Sequence, residues 1–161
     1  MSKNTLLLFL LWILLGIGFY LIADHKLNPN KIHQFSNNSS VTLQRSLDGH
    51  YRTEALINGE KVYVLVDTGA TGVAISQKIA HQLGLKSHHA VNSSTANGNT
   101  VVYMTRLDEI KIGGVIAHHV SAVISPGLEG DVLLGMSFLG RMDVRLFKNE
   151  MTIKQIESDA H

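Results

Sequence analysis

Asp67 stands at the end of an apolar run, Val64-Leu65-Val66, and is followed by Thr68, Gly69, Ala70, Thr71 and Gly72. Burying an ionised carboxylate without partners is costly, so a strand of Val and Leu that ends in Asp points to a carboxylate with a use. Thr68 brings a hydroxyl that can hydrogen-bond within the turn, and Gly69 lets backbone approach backbone where a Cβ would clash. The stretch reads as an active-site loop. The same residues also suit an Asx-type turn that merely closes a strand, and Asp-Thr-Gly alone does not separate the two.

Other chemistries have less to stand on. The chain has no cysteine, which excludes disulfides and thiolate catalysis. His88-His89 and His118-His119 suggest metal at first sight, but adjacent residues on a strand point to opposite faces and no carboxylate follows at ligand spacing, so no metal or other cofactor is expected. No serine sits in a Gly-x-Ser-x-Gly context. Net charge is +1 over 161 residues with no basic cluster along any segment, so nucleic acid is not an expected partner.

A second element lies far down the chain, Asp131-Val132-Leu133-Leu134-Gly135-Met136-Ser137-Phe138-Leu139. Together the two resemble the half-domain signature of the retropepsin-like aspartic proteases: two hydrophobic residues, Asp-Thr-Gly-Ala, and later two hydrophobic residues and Gly. The resemblance covers about residues 47–156. It implies an all-β fold, a retropepsin-like (acid protease half-domain) closed barrel with one or two short helices. Asp67 would be catalytic, Thr68, Gly69 and Ala70 would support its loop, and Leu133, Leu134 and Gly135 would pack around it. By position, Thr95, Ala96, Asn97 and Gly98 resemble the flap that closes over bound peptide; an ordinary hairpin remains the other reading. Thr95-Ala96-Asn97-Gly98 followed by Leu-Leu-Gly-Met-Ser-Phe-Leu is similar to membrane-anchored bacterial members.

A two-lobed enzyme of this kind would carry two Asp-Thr/Ser-Gly motifs, and only one is present; Asp48-Gly49 lacks the apolar run and reads as a plain turn. The resemblance therefore implies a homodimer in which Asp67 of each copy meets across a twofold axis, acting on a peptide or protein substrate. Two departures bear on that dimer. Viral members usually carry a second Asp where Thr71 stands and an Arg where Met136 stands, so both ends of a family ion pair are absent and a weak dimer is expected. Ala70, where relatives with Ser make one more hydrogen bond to the carboxylate, leads to an expected optimum at mildly acidic pH. The rival from another class is a catalytically silent module that holds peptides in the same cleft.

The positioning elements can be read from turn chemistry. Asn58-Gly59 is a strong two-residue hairpin signal between strands at 50–57 and 61–66, and that hairpin runs straight into Asp67. Val73-Ala74-Ile75 reads as a returning strand, Ser76 as the cap of a short helix through Leu83, and Gly84 as its stop. A hairpin over 91–105, another about Gly113-Gly114, a short helix over 137–142 and strands at 144–147 and 151–156 complete the set. The last of these is the expected dimer strand.

The N-terminal part divides differently. After a short head at 1–4, residues 5–23 form an uncharged apolar stretch long enough to cross a bilayer, longer than the core of most signal peptides. A bulky Ile22 and Leu21 make a poor cleavage site, so an uncleaved transmembrane signal anchor is expected over a removed signal peptide. Lys3 favours an inside N-terminus, giving a single-pass protein of the bacterial inner membrane with its catalytic domain in the periplasm. Residues 24–46 are polar and read as a linker, with an edge strand at 41–47 as the alternative, ahead of a protease domain at 47–157.

Overall fold

The computed structural model describes residues 3–27, 30, 39–87, 89–95 and 98–156. In chain order its elements are α1 (Lys3–Leu27), β1 (Ser40–Gln44), β2 (Tyr51–Ile57), β3 (Glu60–Val66), β4 (Val73–Ser76), α2 (Gln77–Gln82), β5 (Ala90–Thr95), β6 (Gly98–Ile112), β7 (Val115–Ser125), β8 (Val132–Leu134), α3 (Met136–Leu139), β9 (Met142–Phe147) and β10 (Glu150–Gln155).

Asn58 and Gly59 both take positive φ, 51° and 84°, which is the turn whose twist matches the strands it joins. β2 and β3 therefore pair in full register from Tyr51 opposite Val66 to Ile57 opposite Glu60. Seven strands lie in the order β2-β3-β8-β4-β7-β6-β5, and β2 meets β6 through Leu56 opposite Lys111 and Ile57 opposite Ile110. That contact closes six strands into a barrel, with β5 attached outside it. The inward residues of β3, Val62, Val64 and Val66, are buried, while Tyr63 between them is half exposed. They meet Ile75, Ile110, Ile112, Val120 and Leu134 in one core.

β6 departs from expectation by running as one strand of 15 residues through two segments read as separate. Its pairing with β7 is interrupted between Leu107 opposite Val120 and Glu109 opposite His118, where His119 of β7 takes φ 53°. Side chains bond the backbone at this interruption. Asn58 Oδ1 accepts from the backbone N–H of Asp108 and Glu109 (2.9 and 3.1 Å), and Arg141 Nη1 donates to His118 O (2.6 Å). The irregular φ leaves both His118 and His119 exposed, so the simple alternation expected of a strand does not apply to them.

A second sheet has the order β1-β10-β9. β1 lies in the polar stretch read as linker, and Ser40 to Gln44 pair with Lys154 to Glu150. Backbone pairing needs no apolar composition, and here only Leu43 is fully buried, against Met151. The folded part thus takes in residues ahead of Leu47. β10, read as the dimer strand, lies between β1 and β9 with both edges paired, so it has no edge to offer a second copy.

α1 carries 20 residues, Thr5–Asp24, long and apolar enough to cross a membrane. Its Leu, Ile and Phe side chains are exposed rather than packed on the barrel.

Candidate active site

β3 and β8 run parallel, with Val66 opposite Leu134. Immediately beyond that pair the Asp67 N–H donates to Leu134 O (3.1 Å), which fixes where the carboxylate leaves the barrel. The turn then closes on itself: Ala70 N donates to Asp67 O (3.3 Å), and Gly69 N donates to Asp67 Oδ1 (2.8 Å). The Asx-type turn and the presented carboxylate are therefore one structure. Among the described residues, Oδ2 has no hydrogen-bond partner, and Asp67 is half-buried with Thr68 and Gly69 exposed beside it.

Gly135 explains why the later motif must end in glycine. A Cβ there would lie 2.5 Å from Ala70 O and overlap Gly72 O as well, so any side chain would push the loop away. The first turn of α3 then grips that loop, as Met136 N donates to Ala70 O (2.8 Å) and Ser137 N to Thr71 O (3.1 Å). Leu134 is buried in the core and Leu133 half-buried. The structure thus brings Asp67, Thr68, Gly69 and Ala70 together with Leu133, Leu134 and Gly135.

The flap residues are only partly in view. Thr95 pairs with Gly98, whose φ is 106°, across a hairpin between β5 and β6; Ala96 and Asn97 lie outside the described residues. Among the described residues, no group of three or more His, Cys, Asp or Glu is placed to hold a metal ion.

Two features were not read from sequence as parts of the site. Ser137 Oγ accepts from Val73 N (3.0 Å) and donates to Ser121 O (2.9 Å), tying α3 to β4 and β7. Its signal is a lone hydroxyl inside the apolar run from Leu133 to Leu139. Arg52 pairs with Asp48, which looked like a plain turn residue, and its Nε lies 3.3 Å from Asp131 Oδ2. The Arg52 guanidinium, helped by the His50 N–H, holds the Asp48 carboxyl below its ordinary value. Asp48 lies only four residues from Arg52, but Asp131 is far from both in sequence and gives no local sign of its part in the network.

Comparison with known proteins agrees with this geometry. Residues 53–141, more than half of the chain, match the family described as gag-polyprotein putative aspartyl protease. An uncharacterized protein in the cobV 5' region of Sinorhizobium sp. is 35% identical over 136 residues, covering 80% of this chain and 58% of that one. Uncharacterized protein RP867 of Rickettsia prowazekii is 32% identical over 104 residues, covering 63% of this chain and 45% of that one. The chain thus spans about half the length of the curated relatives it matches. A crystal structure of a retropepsin-like aspartic protease from Rickettsia conorii superposes with a TM-score of 0.65 at 28% identity, covering 72% of this chain and 90% of that one. EIAV protease in complex with the inhibitor HBY-793 shares the fold, with a TM-score of 0.50 at 22% identity over 58% of this chain and 88% of that one. Since the matched span runs from β2 through the catalytic-type loop to α3, the chain belongs to the retropepsin-like aspartic protease family.

Proposed function

We propose that this protein is an aspartic endopeptidase whose site is completed by a second copy of the chain. The observation that carries the reading is a single Asp67 carboxylate, oriented through one oxygen by Gly69 N and, among the described residues, unpartnered at the other. Two such carboxylates brought within a few ångströms cannot both ionise cheaply, so the pair holds one shared proton over a working range of pH. The ionised member takes a proton from a water as that water attacks the peptide carbonyl, and the protonated member donates to the carbonyl oxygen. Thr68, exposed beside Asp67, would support the pair by hydrogen bonds across the twofold axis. The β5–β6 hairpin ending at Thr95 and Gly98 would act as the flap.

In this reading α1 is a single-pass anchor in the bacterial inner membrane, with the protease domain in the periplasm. Tethering in one plane raises the effective concentration of chains and compensates for a weak dimer. β1 and β9 are the two end strands of the β1-β10-β9 sheet, and a partner could extend the sheet at such an edge.

The test is to incubate wild type and Asp67→Asn with a complex peptide library from acidic to neutral pH and read the products by mass spectrometry. Cleavage by wild type that disappears in Asp67→Asn supports the reading. A dimer that binds peptides but cuts none would favour the silent module instead.

A further inference from the structure

We propose that the domain does not swing freely on its tether but is seated on the lipid surface, with the turns at Leu47 and Phe147 dipping into it. This rests on reading α1 as a membrane anchor. α1 ends at Leu27, and Asn30 follows three residues later, a reach of at most about 11 Å. Asn30 is bound to the domain through both side-chain and backbone atoms. Its Nδ2 donates to Gln44 O (2.7 Å) and Arg52 O (2.9 Å), its Oδ1 accepts from Gln44 N (2.6 Å), and its backbone O accepts from Thr53 Oγ1 (3.0 Å). The chain is therefore pinned to β1 and β2 almost as soon as it leaves the helix, which leaves little slack between bilayer and domain.

The same end of the domain carries unusual exposed apolar groups. Arg45 N donates to Asn149 O (2.7 Å), which joins the turn holding Leu47 to the turn between β9 and β10. Leu47 is 80% exposed, Phe147 70% and Leu146 57%. Lys148 Nζ lies 5.3 Å above the Phe147 ring. An aromatic ring with a cation over it suits the boundary of a bilayer, where the ring enters the headgroup layer and the long cationic side chain reaches phosphate. The acidic residue beside Leu47, Asp48, is neutralised by Arg52. A second copy added at the β9 edge would not account for Leu47, which lies in a turn outside the sheet. Lipid accounts for Leu47 and Phe147 together and for the position of Asn30. Because Arg52 and Thr53 pair with Leu65 and Val64, this seating sets the attitude of the strand that ends in Asp67.

Trp12 is the single tryptophan of the chain, so fluorescence can test anchor and seating separately. Full-length protein is reconstituted into phosphatidylethanolamine–phosphatidylglycerol vesicles doped with lipids brominated either deep in the acyl chain or near the headgroup. Wild-type emission quenched by deep bromines establishes the anchor. In a Trp12→Phe background, Phe147→Trp is expected to lose most of its emission to shallow bromines, whereas Met104→Trp, on β6, keeps it. Adding Asn30→Ala to the Phe147→Trp chain is expected to restore much of the emission. If wild type is quenched but the tryptophan at position 147 is quenched no more than that at 104, the seating is wrong and the anchor stands. If wild type is not quenched, the anchor fails and the seating falls with it.

Discussion

The loop around Asp67 and the sheet of β1, β9 and β10 are held together by opposite means. In the loop, residue identity is imposed by space: Gly135 has no room for a Cβ beside Ala70 O and Gly72 O, and a Cβ on Gly69 would lie 3.2 Å from Asp67 Oδ1. In the sheet, the backbone does the holding: Ser40 to Gln44 pair with Lys154 to Glu150 through groups that every residue carries. A region fixed by sterics announces itself in sequence. One fixed by pairing between chain segments more than 100 residues apart does not.

Leu43→Ala gives the sharpest test of that contrast. Leu43 is 1% exposed and faces Met151, so truncation should cost about 2–5 kcal/mol, measured by urea denaturation of the detergent-solubilised chain. If β1 were merely linker, the change would be near neutral. On the other side of the comparison, Gly135→Ala should cost about 3 kcal/mol, the top of the overpacking range, and should remove peptide cleavage because the Asp67 loop must shift. A variant that kept full activity would show that the loop tolerates displacement.

Those two positions also differ in how far the amino-acid sequence reveals them. The Asn58-Gly59 hairpin, the cap at Ser76 and the stop at Gly84 were legible because each depends on a few neighbouring residues. The structure has them at φ 51° and 84°, with Ser76 Oγ accepting from Ile79 N, and at φ 65°. Asp67 and Gly135 were legible as a pair because their residue types recur in one order. β1 was legible only as an alternative, since Ser40-Val41-Thr42-Leu43-Gln44 is ordinary polar sequence until β10 lies beside it. The irregular backbone at His119 of β7, braced by Asn58 and Arg141, and the reach of Arg52 to Asp131 depend on partners distant in sequence, which no local pattern encodes.

Smaller effects refine the picture. Ser137→Ala leaves Val73 N and Ser121 O without the hydroxyl that serves both, and should cost about 1–3 kcal/mol by the same denaturation measurement. A loss within experimental error would mean that water replaces it. The smallest effect belongs to Asp48, whose carboxyl is held below its ordinary value chiefly by Arg52. A carboxylate with a depressed folded value adds stability above its unfolded value and loses it as pH falls through the folded one. The melting temperatures of wild type and Asp48→Asn should therefore differ slightly at neutral pH and converge in acid. A gap that widened in acid would reverse the sign of that linkage.

The claim that one chain holds half a catalytic site is tested most directly by mixing. Wild type and Asp67→Asn chains are co-expressed in graded ratios, purified together, and assayed for peptide cleavage at constant total protein. If two copies each supply Asp67, activity should fall as the square of the wild-type fraction, because a mixed pair holds a single carboxylate. A fall in direct proportion to the wild-type fraction would mean that each chain works alone, and would contradict the shared site.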